Sequence, residues 1–214
     1  MRLHIGASRI HLAMPKLETL RSADWIHLGE PESFEESCAA EAASRASGAT
    51  AVLGKFRSFY YKRGNILPFA DDTFTFAFSE HFFEHLFLDE ACELLKECFR
   101  VLRSGACLRV VVPDADLRTY MAPEPAAYST GDSRWTHPDK HKTRWSIYSL
   151  SYVLEQIGFL TRGDVFCDRY GEYHVRTPDD SEPFYDNCLD RDLVLQTEFI
   201  DRFHDSLVVD AVKA

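Results

Sequence analysis

The segment from Leu67 to Pro113 limits the possible folds of this 214-residue chain more than any other stretch. Thr75 to Ser79 is short, rich in aromatic residues and followed by polar ones, which predicts a buried strand. Apolar side chains then recur at helical spacing from Leu88 onwards, and Gly105 is the predicted helix stop. Cys107 to Val112 is almost continuously apolar, as in a strand covered on both faces. Strand, helix and buried strand predict a right-handed βαβ crossover within a parallel sheet.

The predicted helix is supported by its charges as well as by its periodicity. Two acids fall in its first turn and two arginines in its last, where each sign interacts favourably with the helix dipole. The apolar stripe consists of Leu88, Ala91, Cys92, Leu95, Cys98, Phe99 and Leu102. Both patterns predict an amphipathic helix that packs one face against the sheet.

The composition disfavours several classes of protein. A net charge of -10 and a pI near 5.3 argue against a protein that mainly binds nucleic acid or an anionic membrane. No apolar run approaches the length of a membrane span, and Met1 to His4 lacks the apolar core of a signal peptide. The six cysteines include no CxxC pair, which is typical of reduced packing residues. We expect a cytoplasmic protein with no nucleic-acid partner and no membrane partner.

Three further strands are predicted before the central segment. Arg2 to Ile5 runs directly into a glycine turn, and such a turn lets the backbone approach a bound ligand closely. Asp24 to Leu28 predicts the second strand and Phe56 to Tyr61 the third. Between them, residues 33–47 are rich in alanine and glutamate and predict a helix that stops at Gly48.

The run LPFADDTFTFAFSEHFFEHL, continued by LLKECFRVLRSGACLRVVVPD, resembles the middle of class I (Rossmann-like) S-adenosylmethionine-dependent methyltransferases. It is most similar to a small predicted bacterial type within the methyltransferase type 11 group. In that family the run spans strand 4, its loop, helix D and strand 5. HPDKHKTRWSIYSLSYVLEQIGF is also typical of the group, whose helix E ends at the pair that is here Gly158 and Phe159. SLVVDAVK resembles the family's antiparallel seventh strand.

The resemblance implies one α/β domain over residues 1–214. Its sheet would have seven mostly parallel strands, an antiparallel last strand and helices on both faces. Residues near 31–50 and 170–192 are expected to be insertions in this domain.

The resemblance also implies S-adenosylmethionine as the methyl donor and S-adenosylhomocysteine as the product. The positions that match the family's cofactor site are Gly6, Ala7, Ser8, Gly29, Glu30, Leu67, Ser79, Glu80 and His81. Two of them depart from the family pattern. Ser8 stands where the family has a second glycine, and Gly29 stands where it has an acid for the ribose hydroxyls. Glu30 lies one residue later and could make the ribose contact instead.

Residues His81 to His85 match the inverted zinc-protease motif H-x-x-E-H, through His81, Glu84 and His85. The motif follows a predicted strand, where the methyltransferase family has a loop ending in the same Glu-His pair. A metalloprotease would also need a third ligand from a downstream helix. We therefore expect no metal, and a zinc hydrolase is the weaker alternative. His85 is a candidate catalytic residue, or it caps and packs the start of the following helix.

Two further groups of residues are candidates for chemistry. Asp114 leaves the second buried strand at the same sheet edge, where it could act on a substrate or simply cap the next turn. The candidate substrate-binding residues are His137, His141, Arg144 and Trp145. Basic residues beside these histidines suit an anionic substrate or a lid, and an ordinary polar surface loop is the alternative.

Methyl transfer from S-adenosylmethionine to a small-molecule or sugar-like acceptor is the leading functional hypothesis. The sulfonium already carries an activated methyl group, so the protein mainly has to bind and orient the reactants. The alternative is a methyltransferase-like domain that has lost turnover and acts as a binding or partner protein. The substituted glycine-loop and ribose positions favour that alternative.

Overall fold

The computed structural model describes residues 1–7, 20, 22–30, 55–117, 141–176, 182–196 and 206–214. Within these ranges eight strands form, namely β1 (Arg2–Ile5), β2 (Trp25–Gly29), β3 (Lys55–Ser58), β4 (Phe74–Glu80), β5 (Leu102–Pro113), β6 (Phe159–Cys167), β7 (Tyr173–Val175) and β8 (Ser206–Lys213). The helices are α1 (Leu88–Val101), α2 (Ile147–Ile157) and α3 (Arg191–Val194), with 3₁₀ turns at Phe83–His85 and Pro183–Tyr185.

All eight strands belong to one sheet with the order β3-β2-β1-β4-β5-β8-β6-β7. The five strands from β3 to β5 are parallel, while β8 is antiparallel to both β5 and β6. The predicted α/β class, mostly parallel sheet and antiparallel carboxyl-terminal strand are therefore confirmed. The predicted number of seven strands is wrong, because β7 adds an eighth by pairing antiparallel with β6.

Strand β7 lies inside the segment near 170–192 that was expected to be an insertion. A tight turn folds the chain back onto β6, and the Asp168 carboxylate holds it by accepting the N–H groups of Tyr170 and Glu172, each at 2.9 Å. The N–H groups of a sheet edge then pair with the returning chain. The helix predicted over 33–47, and the insertion expected near 31–50, lie outside the described residues.

The predicted βαβ crossover is present as β4, α1 and β5. The helix buries Ala91, Leu94, Leu95, Cys98 and Val101. It ends four residues before the predicted stop, because Leu102 already pairs with Phe74 of β4. Gly105 instead serves the irregular start of β5. Its φ is +79°, and a Cβ there would lie 2.7 Å from the Asn187 carbonyl oxygen.

The sheet separates two apolar layers. Ala77 of β4 faces the larger layer, which includes Leu95 of α1 and Leu150 of α2. Phe76 and Phe78 face the smaller one, which includes Leu193 of α3 and Tyr185. This alternation along β4 is what a strand covered on both faces requires, so the prediction of helices on both faces is confirmed.

The five described cysteines are free thiols. None of the helices in the described ranges is long and apolar enough to span a membrane.

A fully buried ion pair joins β5 to β8. Arg109 and Asp210 are directly opposite in the antiparallel register, and the guanidinium donates to both carboxylate oxygens, at 2.7 and 2.6 Å. The phenol of Tyr185 donates to the same carboxylate at 2.9 Å. Arg162 of β6 is opposite Asp210 on its other side and pairs with the buried Asp164. Positive and negative side chains therefore alternate across β5, β8 and β6, in the order Arg109, Asp210 and Arg162.

Asp210→Ala should lower the free energy of unfolding by about 3–5 kcal/mol, because it removes both charged hydrogen bonds of the buried Arg109 guanidinium and leaves Asp164, at 3.7 Å, as its counter-ion. Asp186→Ala is the matched control, since its pair with Arg191 is exposed and is expected to contribute less than about 1 kcal/mol. Urea unfolding of both variants measures the difference. Equal, small losses would mean that the buried pair does not hold these strands.

A second buried polar pair joins β1 to β2. The Nδ1 atoms of His4 and His27 lie 3.0 Å apart, so one ring must donate and the other must be a neutral acceptor. Burial lowers the pKa of His27 from 6.5 to about 4, although a backbone hydrogen bond with Leu20 opposes the shift. His27 is therefore neutral in the folded protein at neutral pH.

The lowered pKa of His27 makes stability depend on pH. The unfolded chain binds a proton near the ordinary histidine pKa, so this contribution is complete above about pH 6.5 and is lost as the pH falls toward 4. Between about pH 7.5 and pH 5 the loss from His27 should be about 2 kcal/mol. His27→Phe should remove that part of the dependence, measured by urea unfolding at both pH values. The same pH dependence in the variant would contradict this account.

Candidate functional site

The carboxyl ends of the parallel strands define the candidate site. The chain leaves β1 toward β2 on one side, whereas β4 lies on its other side, so the topology changes direction between β1 and β4. Ligands of open α/β sheets bind at such a switch point. Ile5 is in register with Leu28 of β2 and Ser79 of β4, so the three strand ends are level. Gly6, Glu30 and His81 begin the turns that follow.

Gly6 adopts a left-handed φ of +73° and is closely covered by protein. A Cβ at this position would lie 2.3 Å from the ring of Phe82, so the glycine makes room for that side chain. Its N–H donates to the Tyr61 hydroxyl at 3.0 Å, and that hydroxyl donates to the Leu28 carbonyl at 2.8 Å. The N–H of Ala7 also donates to Leu28, at 2.7 Å. The third predicted residue of this turn, Ser8, lies outside the described residues.

Glu30 is the first acid after β2, and Gly29 is the last residue of that strand. A Cβ at Gly29 would lie 2.4 Å from the Ala7 carbonyl oxygen and 2.7 Å from the Phe56 ring. The family's acid therefore has no room at position 29. Burial is the main cause of the raised pKa of Tyr61, and the charge of Glu30 adds to it. This interaction places Glu30 near the turn that follows β1.

Ser79 and Glu80 end β4 and are completely buried. The Ser79 hydroxyl makes no hydrogen bond with any part of the chain that the structure describes. Leu67, by contrast, is not brought to this edge. Its N–H donates to Glu97 at 2.8 Å, its carbonyl accepts from Arg100 at 3.1 Å, and its side chain is in the core. Leu67 therefore anchors its turn to α1.

His81 has a φ of +47°, which is uncommon for a residue other than glycine. Its N–H donates to the Val111 carbonyl at 2.8 Å, and its Nε2 lies 3.2 Å from the Ser206 hydroxyl. Its Nδ1 lies 3.3 Å from Oε1 of Glu84. Between this sharp turn and α1, Phe83–His85 is the helical segment, and it is a 3₁₀ turn that ends before Leu86. The two histidines of the motif therefore do not share the face of one α-helix, which disfavours the zinc-protease alternative.

Glu84, His85 and His141 form a cluster in which one potential ligand atom from each residue lies within 4.8 Å of the others. The imidazole rings of His85 and His141 are nearly perpendicular, with centroids 4.8 Å apart. We call these residues the Glu84–His85–His141 cluster. Burial lowers the pKa of His141, and the negative charge of Glu84 opposes that shift.

The segment 141–143 is tied to the 3₁₀ turn by several hydrogen bonds. The N–H groups of Lys142 and Thr143 donate to the Glu84 carbonyl at 2.7 and 3.2 Å. The Lys142 ammonium donates to the His85 carbonyl at 2.8 Å, and the Thr143 hydroxyl contacts two further carbonyls of the turn. The Lys142 ammonium thus already donates to a carbonyl of the protein, which weakens the prediction that it binds an anionic substrate beside His141.

His85 does not cap α1. Glu90 accepts the N–H of Phe87, the residue before the helix, at 3.1 Å, and thereby caps the helix start. The His85 side chain is partly exposed, at 28%. Its packing contact is with His141, so its candidate role in chemistry stays open.

Asp114 makes structural contacts with both of its carboxylate oxygens. Oδ2 accepts the N–H of Cys167 at 2.6 Å and Oδ1 accepts the N–H of Asp116 at 3.0 Å. Burial raises the pKa of Asp114, while these hydrogen bonds oppose the rise. The carboxylate therefore caps a turn and joins the ends of β5 and β6, as the alternative interpretation predicted.

The remaining candidate substrate residues are dispersed. Trp145 is 1% exposed and pairs with Asp114 in an isolated bridge, so it belongs to the core and not to a substrate surface. Arg144 is exposed, and His137 lies outside the described residues. Of the four predicted substrate-binding residues, His141 lies beside the candidate His85, and Trp145 is brought to the candidate Asp114 through its backbone.

Residues 36–110 match the methyltransferase domain family. Among solved structures, the chain resembles S-adenosylmethionine-dependent methyltransferases from Aquifex aeolicus and Methanosarcina mazei, at 16% and 18% identity and a TM-score of 0.55 each. The alignments cover 100% of this chain and 81% of the first protein, and 99% and 91% for the second.

The chain also resembles the protein solved in complex with the Haloferax volcanii Trm112 methyltransferase activator, at 18% identity and a TM-score of 0.54. That alignment covers 99% of this chain and 81% of the other. At these identities the structural likeness shows the fold. No curated protein matches the sequence.

Gly29→Asp should lower the free energy of unfolding by about 1–3 kcal/mol, because the new Cβ meets the Ala7 backbone. Glu30→Gln is the matched control and should change stability little, because Glu30 lies beyond the crowded strand. Urea unfolding checks both. A Gly29→Asp protein of unchanged stability would show that the strand has room for the family's acid after all.

Proposed function

We propose that this chain is a class I S-adenosylmethionine-dependent methyltransferase whose acceptor is a small-molecule or sugar-like compound. The match of residues 36–110 to the methyltransferase domain family and the likeness of the fold to S-adenosylmethionine-dependent methyltransferases support this proposal. S-adenosylmethionine is the cofactor of this family, and transfer of its methyl group leaves S-adenosylhomocysteine. The observation that carries the proposed site is the level ending of β1, β2 and β4 at the topological switch point.

Two of the predicted residues fit the cofactor through their side chains. Glu30 is an acid at the end of β2 and would accept hydrogen bonds from the ribose hydroxyls. Ser79 offers a buried hydroxyl that makes no hydrogen bond within the described part of the chain, and it would serve a polar group of the cofactor. Glu80 is the last residue of β4, and His81 follows it at the same edge.

The backbone of the turn after β1 fits the cofactor less directly than these side chains do. The N–H groups of Gly6 and Ala7 both donate within the protein, so neither is available to the cofactor in this arrangement. In the proposal these two residues shape the floor of the site together with Phe82. Glu30 replaces Gly29 as the ribose residue, because Gly29 has no room for a side chain.

The chemistry demands little of the protein beyond alignment. The cofactor supplies an activated methyl group, and orientation of the two reactants can lower the barrier by roughly 7–11 kcal/mol. His85 is the candidate general base, because it is partly exposed and follows β4 at the site edge. Asp114 is assigned a positioning role, since both of its oxygens already accept backbone hydrogen bonds.

A small acceptor agrees with the charge of the protein. At a net charge of -10, a polyanionic nucleic-acid acceptor would be repelled. Radiolabelled S-adenosylmethionine offered with fractionated cell extract should therefore label the low-molecular-weight fraction. Label confined to nucleic acid or protein would contradict the proposed acceptor class.

Cofactor binding is tested by calorimetric titration with S-adenosylmethionine and S-adenosylhomocysteine. Glu30→Gln keeps the shape and removes the charge, so it should weaken binding about five- to thirtyfold. Glu155→Gln makes the same change on the exposed face of α2 and should leave the affinity unchanged. No heat of binding in the wild type at millimolar cofactor would favour the lapsed binding or partner protein.

A further inference from the structure

We propose that Glu84, His85 and His141 bind one divalent transition-metal cation of the Zn²⁺ kind. The potential ligand atoms lie within 4.8 Å of one another. Ligand atoms at about 2.0–2.2 Å from a common ion are roughly 3–4 Å apart, so small side-chain rotations would complete the site. This inference departs from the expectation of no metal, because the fold supplies the third ligand that the H-x-x-E-H motif lacks.

The environment of the Glu84 carboxylate favours a bound cation. Its residue is 2% exposed, and neither oxygen accepts a well-formed hydrogen bond within the described residues. Its near contact is with Nδ1 of His81, which lies 3.3 Å from Oε1 of Glu84. A buried carboxylate with so little compensation is costly, and a bound cation would neutralise it. Nδ1 of His85 is likewise buried without a hydrogen bond among the described residues.

Backbone carbonyls of the 3₁₀ turn hold the segment that carries His141 in place. Hydrogen bonds from Lys142 and Thr143 reach the backbone carbonyls of the 3₁₀ turn, including that of Glu84. These bonds fix His141 beside His85, while the imidazole nitrogens and the Glu84 carboxylate oxygens are not part of them. His81 lies against Glu84 and contacts Ser206, which suits a residue that orients a ligand.

The ligand types select the class of metal. Two imidazoles and one carboxylate suit Zn²⁺ and Fe²⁺, whereas Mg²⁺ and Ca²⁺ prefer sites built of oxygen atoms. Three protein ligands leave at least one position open. If the proposed methyl transfer holds, that position would bind an acceptor oxygen and lower the pKa of its hydroxyl. With the metal bound, His85 would act as its ligand and the metal would replace the His85 general base of the proposed function. This role rests on the proposed function, but the metal binding itself does not.

A second group of possible ligands supplies a control. Asp168, Glu172 and His174 are also close together. The Asp168 carboxylate already accepts two backbone N–H groups and lies 3.1 Å from His174, so its contacts are explained by the turn before β7. His174→Ala therefore removes a clustered histidine without touching the proposed site.

The test uses full-length protein without a histidine tag, stripped with EDTA and titrated calorimetrically with zinc chloride. Wild type and His174→Ala should each bind one zinc per chain, checked by elemental analysis. Glu84→Gln and His141→Ala should each weaken binding at least tenfold, because loss of even an outer-shell partner of a metal typically costs about 10–100-fold in affinity. Glu84→Gln preserves the side-chain shape, and thermal unfolding verifies that each variant is folded.

The result that overturns the proposal is no saturable zinc binding in the wild type. Binding that survives in both Glu84→Gln and His141→Ala but is lost in His174→Ala would overturn it equally. Titration of the stripped protein with S-adenosylmethionine separates this inference from the proposed function. Zinc binding without cofactor binding would leave the metal site standing and remove methyl transfer, and the reverse result would do the opposite.

Discussion

The buried pair between Arg109 and Asp210 sets the register on which the site depends. A slip of β8 by one residue would turn Asp210 toward the opposite apolar layer and break both of its hydrogen bonds with Arg109, which disfavours any other register. In that register Ser206, the first residue of β8, lies beside His81. The same register also places β6 so that the N–H of Cys167 donates to Asp114. The site edge is thus fixed by a charge pair buried in the interior of the sheet.

The central crossover could be predicted because its signals are local. The stripe from Leu88 and the apolar run to Val112 each describe one element, and both elements are present, although the boundary between them differs from the predicted one. Two features lacked a local signal. Strand β7 has three residues and exists because β6 offers an edge, and α1 ends early because Leu102 pairs with Phe74. Pairing partners distant in sequence decided both.

Some of the predicted site residues use their polar atoms in hydrogen bonds within the protein, and others do not. Family position alone cannot distinguish an acid that faces a ligand from one that joins two strands, and Asp114 is of the second kind. The crowding that excludes an acid at position 29 comes from the Ala7 carbonyl and the Phe56 ring, which no spacing rule reveals. The approach of His141 to His85 also depends on hydrogen bonds to the Glu84 carbonyl from a distant segment. Phe82 could have been suspected only from the glycine that it covers.

The backbone at His81 gives a physical reason to regard this turn as functional. A residue other than glycine at a φ of +47° is strained by roughly 1–3 kcal/mol, and glycine would relieve the strain. The turn itself needs only the N–H that donates to Val111, which glycine would also provide. An imidazole here is therefore explained by its side-chain contacts, with Glu84 on one nitrogen and Ser206 on the other. The same few residues that end β4 beside the proposed cofactor edge thus also contact the carboxylate of the Glu84–His85–His141 cluster, so the two proposed sites would share one strained turn.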